Sequence, residues 1–140
     1  MLSFLKMSWA SSYADVAPLV LRLGLGIVFF MHGYQKLGMG VDGVTGFLGS
    51  LGFPIAGVFA VILIAVELIG GLALIAGVLT RFSAFLASIV AIVALFTVHV
   101  SKGFFISGGG YEFILVLFVV AVSLLITGAG KYSVDSKLGM

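Results

Sequence analysis

The chain has 140 residues, 62% of them hydrophobic and 9% charged, with a formal net charge of +2 and a mean hydropathy of +1.36. About a quarter of the residues of a soluble domain are charged, so a water-facing surface is excluded and lipid must cover most of the chain; the polar residues left over are too few for a second, soluble domain, leaving one domain over 1–140. The weak, scattered positive charge excludes a nucleic-acid interface, and the lack of cysteine excludes disulfides, thiolate-held iron–sulfur clusters and thiol redox chemistry carried by this chain.

Residues 1–15 are short and mixed. The apolar stretch that follows Asp15 contains Arg22 and runs to His32 without a small-residue cleavage site, so it reads as a retained first helix rather than a signal peptide. Trp9 and Tyr13 suit the membrane interface. Four apolar segments then follow, near 16–37, 55–79, 82–100 and 111–128, each about the 20 residues that cross ~30 Å of hydrocarbon as a helix. Barrel strands are excluded because the apolar runs are continuous and about twice as long as a barrel strand. The connections are 38–54, a tight turn at Thr80–Arg81, and the glycine-rich 101–110. The fold class is therefore all-α: a polytopic bundle of four transmembrane helices. Lys6, Arg81, Lys131 and Lys137 lie on one side of the membrane and Lys36 and Lys102 on the other, so the basic excess puts both termini and the Arg81 turn in the cytoplasm.

Glu67 is the one charge between Asp42 and Arg81, and Arg22 is stranded in the first helix in the same way. A carboxylate inside a membrane span is costly and marks a functional hypothesis. At 100° per residue, Arg22, Gly26, Phe29, Gly33 and Lys36 share one face of the first helix. Ala60, Glu67, Gly71 and Leu74 share one face of the second. Glu112, Val116, Val119, Ser123 and Thr127 share one face of the fourth. Arg22 lies roughly 9 Å and Glu67 roughly 18 Å from the cytoplasmic ends of their helices, so the spacing predicts a buried Arg22–Glu67 pair. His32, Gln35, Lys36, His99, Tyr111 and Glu112 gather at the opposite mouth. They predict an extracytoplasmic cavity closed below by Arg22 and Glu67. No metal site is expected: His32, His99 and Glu112 have suitable ligand types, but they come from three helices without a local motif.

The run Leu21-Arg22, Gly26, Phe29, His32-Gly33 and Lys36-Leu37 resembles the first signature of the DoxX family. The pattern E-x-x-G-G-x-x-L-x-x-G-x-x-T-R-x-x-A from Glu67 to Ala84 resembles the second, and Glu112 with the ending Gly128-x-Gly130-x-x-Ser133-x-Asp135 completes it. The resemblance implies a small four-helix protein of the bacterial or archaeal plasma (inner) membrane. It also implies a link to membrane complexes of the thiosulfate/thiol–quinone type, with partner subunits or further copies of the chain. A quinone is the candidate ligand, since it needs an apolar slot with one or two polar groups. Two alternatives accompany this reading: a membrane scaffold without enzymatic activity, and a small-molecule or proton pathway through Glu67.

Overall fold

In the computed structural model, which describes residues 5–140, all regular structure is helical. Residues 1–4 of the mixed N-terminal stretch lie outside the described part. Three helices are long and apolar enough to cross a membrane: α1 (Ala17–Ser50, preceded by a 3₁₀ segment, Ser8–Val16), α2 (Ala56–Ala76) and α3 (Thr80–Lys102). The fourth, α4 (Glu112–Thr127), is equally apolar but shorter, at 16 residues. A short α5 (Val134–Leu138) closes the chain. Trp9 and Tyr13 are exposed and meet edge to face in the 3₁₀ segment.

The segment expected to connect the first two helices is itself largely helical. At Gly40 the backbone takes φ 75°, ψ 159°, a conformation that glycine adopts without a steric penalty. The helix kinks there and resumes to Ser50. Its second part is held by burial: Val44 and Leu48 pack on Ala60 and Ile64 of α2. The glycine-rich sequence hides this helix, because tertiary packing rather than propensity maintains it.

Antiparallel packing of α1 on α2 sets the register of the molecule. A Cβ placed on Gly26 would lie 2.8 Å from the Gly71 carbonyl oxygen, one on Gly71 2.6 Å from the Phe30 nitrogen, and one on Gly33 2.7 Å from the Leu68 nitrogen. The two backbones thus touch along this line, as small residues permit in membrane bundles. The main core joins α1 (Leu25, Phe29), α2 (Leu74), α3 (Ala84, Ala87) and α4 (Leu117, Ala121, Leu124). On α4 the predicted Val116–Val119–Thr127 face is exposed and the Leu117–Ala121–Leu124 face is buried. The Thr127 hydroxyl is satisfied locally, Oγ1 donating to the Ser123 carbonyl, so it does not need the core.

Both α2 and α3 widen into a π-helical turn, at Val66–Gly70 and Leu95–His99. Such turns are uncommon and occur mostly at functional sites. Here one carries Glu67 and the other ends on His99.

Candidate functional site

Between the helices lies a cavity of about 430 Å³, bounded by Phe29, Leu63, Val90 and Leu117 within the bundle and by Phe47, Leu51, Phe53 and Phe59 of the kinked connection and the start of α2. Its polar lining consists of Glu67, Lys36, His32, His99 and Thr97. Lys36 Nζ lies 2.8 Å from each carboxylate oxygen of Glu67. It donates its hydrogen bond to Oε1, leaving Oε2 buried without a donor among the described residues. The imidazoles of His32 and His99 each place Nδ1 2.8 Å from a carbonyl, those of Val28 and Gly109. A carbonyl only accepts, so each Nδ1 carries the proton and each Nε2 is left as the free nitrogen. The wide turn ending at His99 inserts an extra residue into α3. His99, at the end of that turn, lines the cavity as expected.

The expected Arg22–Glu67 pair does not form. Arg22 is fully buried and spends its guanidinium on backbone. Nε donates to the Ala129 carbonyl, and Nη1 to those of Leu74 and Ile75, while Nη2 donates to the carbonyl of Tyr132 at 2.5 Å. The α1–α2 register explains the outcome. With Gly26 opposite Gly71 and Gly33 opposite Leu68, Arg22 is level with the end of α2, whereas Lys36 is level with Glu67. Fourteen residues of helix, ~21 Å of rise, separate the two cations. Comparing the two helices' small-residue positions would have found this register; helix-end depth alone could not.

Arg22, Asp135 and Gly77 together form a latch at the far end of the bundle. Asp135 accepts the Leu79 and Thr80 amides at 2.7 and 2.9 Å, capping the free N–H groups that open α3. Gly77 turns the chain at φ 70°, and a Cβ there would collide with the Arg22 guanidinium. Burial pushes the Asp135 carboxyl up, but the Thr80 and Leu79 amides and the Arg22 charge more than offset that, holding it below the usual range. Arg81 is exposed and donates to the Leu125 and Ile126 carbonyls at the end of α4.

Of the residues expected at the mouth, the structure brings His32, Lys36 and His99 together with Glu67. Arg22 is absent from the cavity lining, and so are Gln35, Tyr111 and Glu112. Gln35 is exposed on the outer side of α1. Glu112 Oε1 instead accepts the Ile106 amide at 2.6 Å, tying down the glycine-rich loop whose Gly109 carbonyl holds His99.

A model of the family described as DoxX matches residues 17–100, from the start of α1 to His99 and Val100, and so spans the whole Arg22–Lys36–Glu67–Arg81 frame. The chain belongs to the DoxX family. Among curated relatives of this DoxX protein, “Putative oxidoreductase CatD” of Bacillus subtilis is 34% identical over 86% of the chain and 86% of the relative. The “Inner membrane protein YqjF” of Escherichia coli is 32% identical over 89% of the chain and 93% of the relative. An uncharacterized protein of Haemophilus influenzae is 34% identical over 89% of the chain and 85% of its own length. No solved structure matches. With several helices of membrane length and an inner-membrane relative aligned along most of its sequence, this DoxX chain is a multi-pass inner-membrane protein.

Proposed function

We propose that this protein is the membrane-embedded subunit of a redox-linked complex of the thiosulfate/thiol–quinone type, serving as anchor and partner, with its cavity as the seat of a quinone-type ring compound. The observation that carries the reading is the cavity itself. Its volume of about 430 Å³ falls in the range of small-molecule sites, and it pairs an apolar wall with a few convergent polar groups, as such sites do. Two π-helical turns present Glu67 and His99 to it. The name of CatD contains the word oxidoreductase, which agrees with a redox setting. Because this chain has no cysteine, thiol chemistry in such a complex falls to a partner subunit.

The proposed topology has four crossings with both termini in the cytoplasm. The end of the bundle holding Arg22, Arg81, Lys131 and Lys137 then faces inward, where basic residues accumulate, and the cavity lies toward the outer side. Two measurements test the function: binding of a ubiquinone or menaquinone analogue to the purified protein in nanodiscs, and the same for His99→Ala. Saturable binding weakened by the substitution is expected. Binding no greater than to empty nanodiscs overturns the cavity assignment and leaves the anchor role to stand on co-purification of partner subunits.

A further inference from the structure

The cavity's polar lining is rich in acceptors and poor in donors. Among the described residues, Glu67 Oε2 is buried without a hydrogen-bond donor. A carboxylate offers about four lone-pair positions, and the single ammonium of Lys36, lying 2.8 Å from both oxygens, fills those between them. His32 and His99 have committed Nδ1–H to the Val28 and Gly109 carbonyls, so in the neutral imidazoles both Nε2 atoms also accept. Against these three acceptors the lining side chains supply one free donor group, Lys36, because the Thr97 hydroxyl is spent on the Val93 carbonyl. Of these only Oε2 is buried, His32 being exposed and His99 half-buried; a buried acceptor left empty costs free energy, and in folded proteins such atoms are seldom left so unless something else completes them.

We infer that the cavity selects an apolar ring compound that carries a hydroxyl, and prefers it to the matching compound that presents only acceptors. For a quinone-type ligand this means the reduced, dihydroxy form over the oxidised diketone. This rests on the reading of the cavity as a ring-compound site. The Lys36–Glu67 pair is a matched receptor for one hydroxyl group: Lys36 donates to its oxygen and Glu67 Oε2 accepts its proton. A ketone oxygen meets Lys36 equally well but leaves Oε2 empty. With the Glu67 side chain only 6% exposed that difference is large, because hydrogen bonds to an ionised partner are about twice as strong as neutral ones.

The test uses a pair of probes that differ only in the donor and undergo no redox change: a radiolabelled 4-alkylphenol and its O-methyl ether, each bound to the full chain in nanodiscs, with empty nanodiscs subtracted for partition. The phenol is expected to bind at least about tenfold more tightly. The Lys36→Met/Glu67→Met double variant, which leaves no bare charge, is expected to bind both probes alike. Equal affinities in the wild type, or tighter binding of the ether, overturn the donor preference while the ring-compound cavity stands. Saturable binding of neither probe overturns both. A preference that survives unchanged in a folded double variant, judged by its elution and melting, overturns the assignment to Lys36 and Glu67.

Discussion

Lys36 and Glu67, 31 residues apart in the chain, are joined by an ammonium 2.8 Å from both carboxylate oxygens, with their side chains 17% and 6% exposed. The pair neutralises the one acid of α2 and ties the middle of that helix to α1. Removing one member of a buried pair typically costs ~3–5 kcal/mol because the other charge is left bare. Lys36→Leu and Glu67→Leu should each lower the melting temperature in detergent, and the double variant should recover most of the loss. An Arg22→Leu/Glu67→Leu double variant should instead lose the sum of its parts. Strong coupling between Arg22 and Glu67 in that cycle would contradict the geometry.

Arg22 donates to four carbonyls from α2 and the C-terminal segment. Leucine leaves those buried acceptors empty, at a cost on the order of 3 kcal/mol or more, since hydrogen bonds from charged donors contribute ~1.5–3 kcal/mol each. Lysine restores the charge without the planar fork and should rescue only part. Limited proteolysis after Lys131 or Lys137 should be faster in Arg22→Leu than in the wild type. Unchanged cleavage would show that the latch does not hold the C-terminus.

Asp135 sets a pH dependence at the same latch. Its carboxyl is held below the ordinary range, so its contribution is fully present above the unfolded carboxylate value. It is lost as pH falls through the lower, folded one. Melting temperature measured against pH should therefore drop on the acid side in the wild type. Asp135→Asn should start lower at neutral pH and show a smaller acid drop. Parallel curves would remove the carboxylate from the account.

Gly71 lies where α1 and α2 touch, and any side chain there meets the Phe30 backbone at 2.6 Å. Backbone cannot rotate away as a side chain can, so Gly71→Val should force the helices apart at a cost of ~1–3 kcal/mol or more. Gly70→Ala, one residue earlier with open space around it, should be tolerated. Equal melting temperatures for the two variants would contradict the close approach.

The proposed orientation is readable by labelling, because the native chain has no cysteine. Ser107→Cys in the loop before α4 should react with an impermeant maleimide in intact cells, and Lys131→Cys only after lysis. The reverse pattern would invert the bundle.

Composition and hydropathy alone determined that this is an all-helical membrane protein, because lipid demands long apolar runs whose backbone polar groups are satisfied within the helix. They also marked Arg22 and Glu67 as charges needing partners, and the 3.6-residue period correctly placed Arg22, Gly26, Phe29 and Gly33 on one buried face. Which partner each charge takes was decided by the tertiary structure. Glycine contacts between α1 and α2 put Lys36, not Arg22, at the level of Glu67, and the C-terminal segment supplied the carbonyls that Arg22 needed. Tertiary packing likewise made a helix of the glycine-rich 41–50, and left Gln35, Tyr111 and Glu112 out of the cavity in which the sequence had placed them with His99. Periodicity reports the direction of a side chain from its own helix. It carries no information about how far one helix slides along the next, and that offset is set by backbone contact at residues that have no side chain.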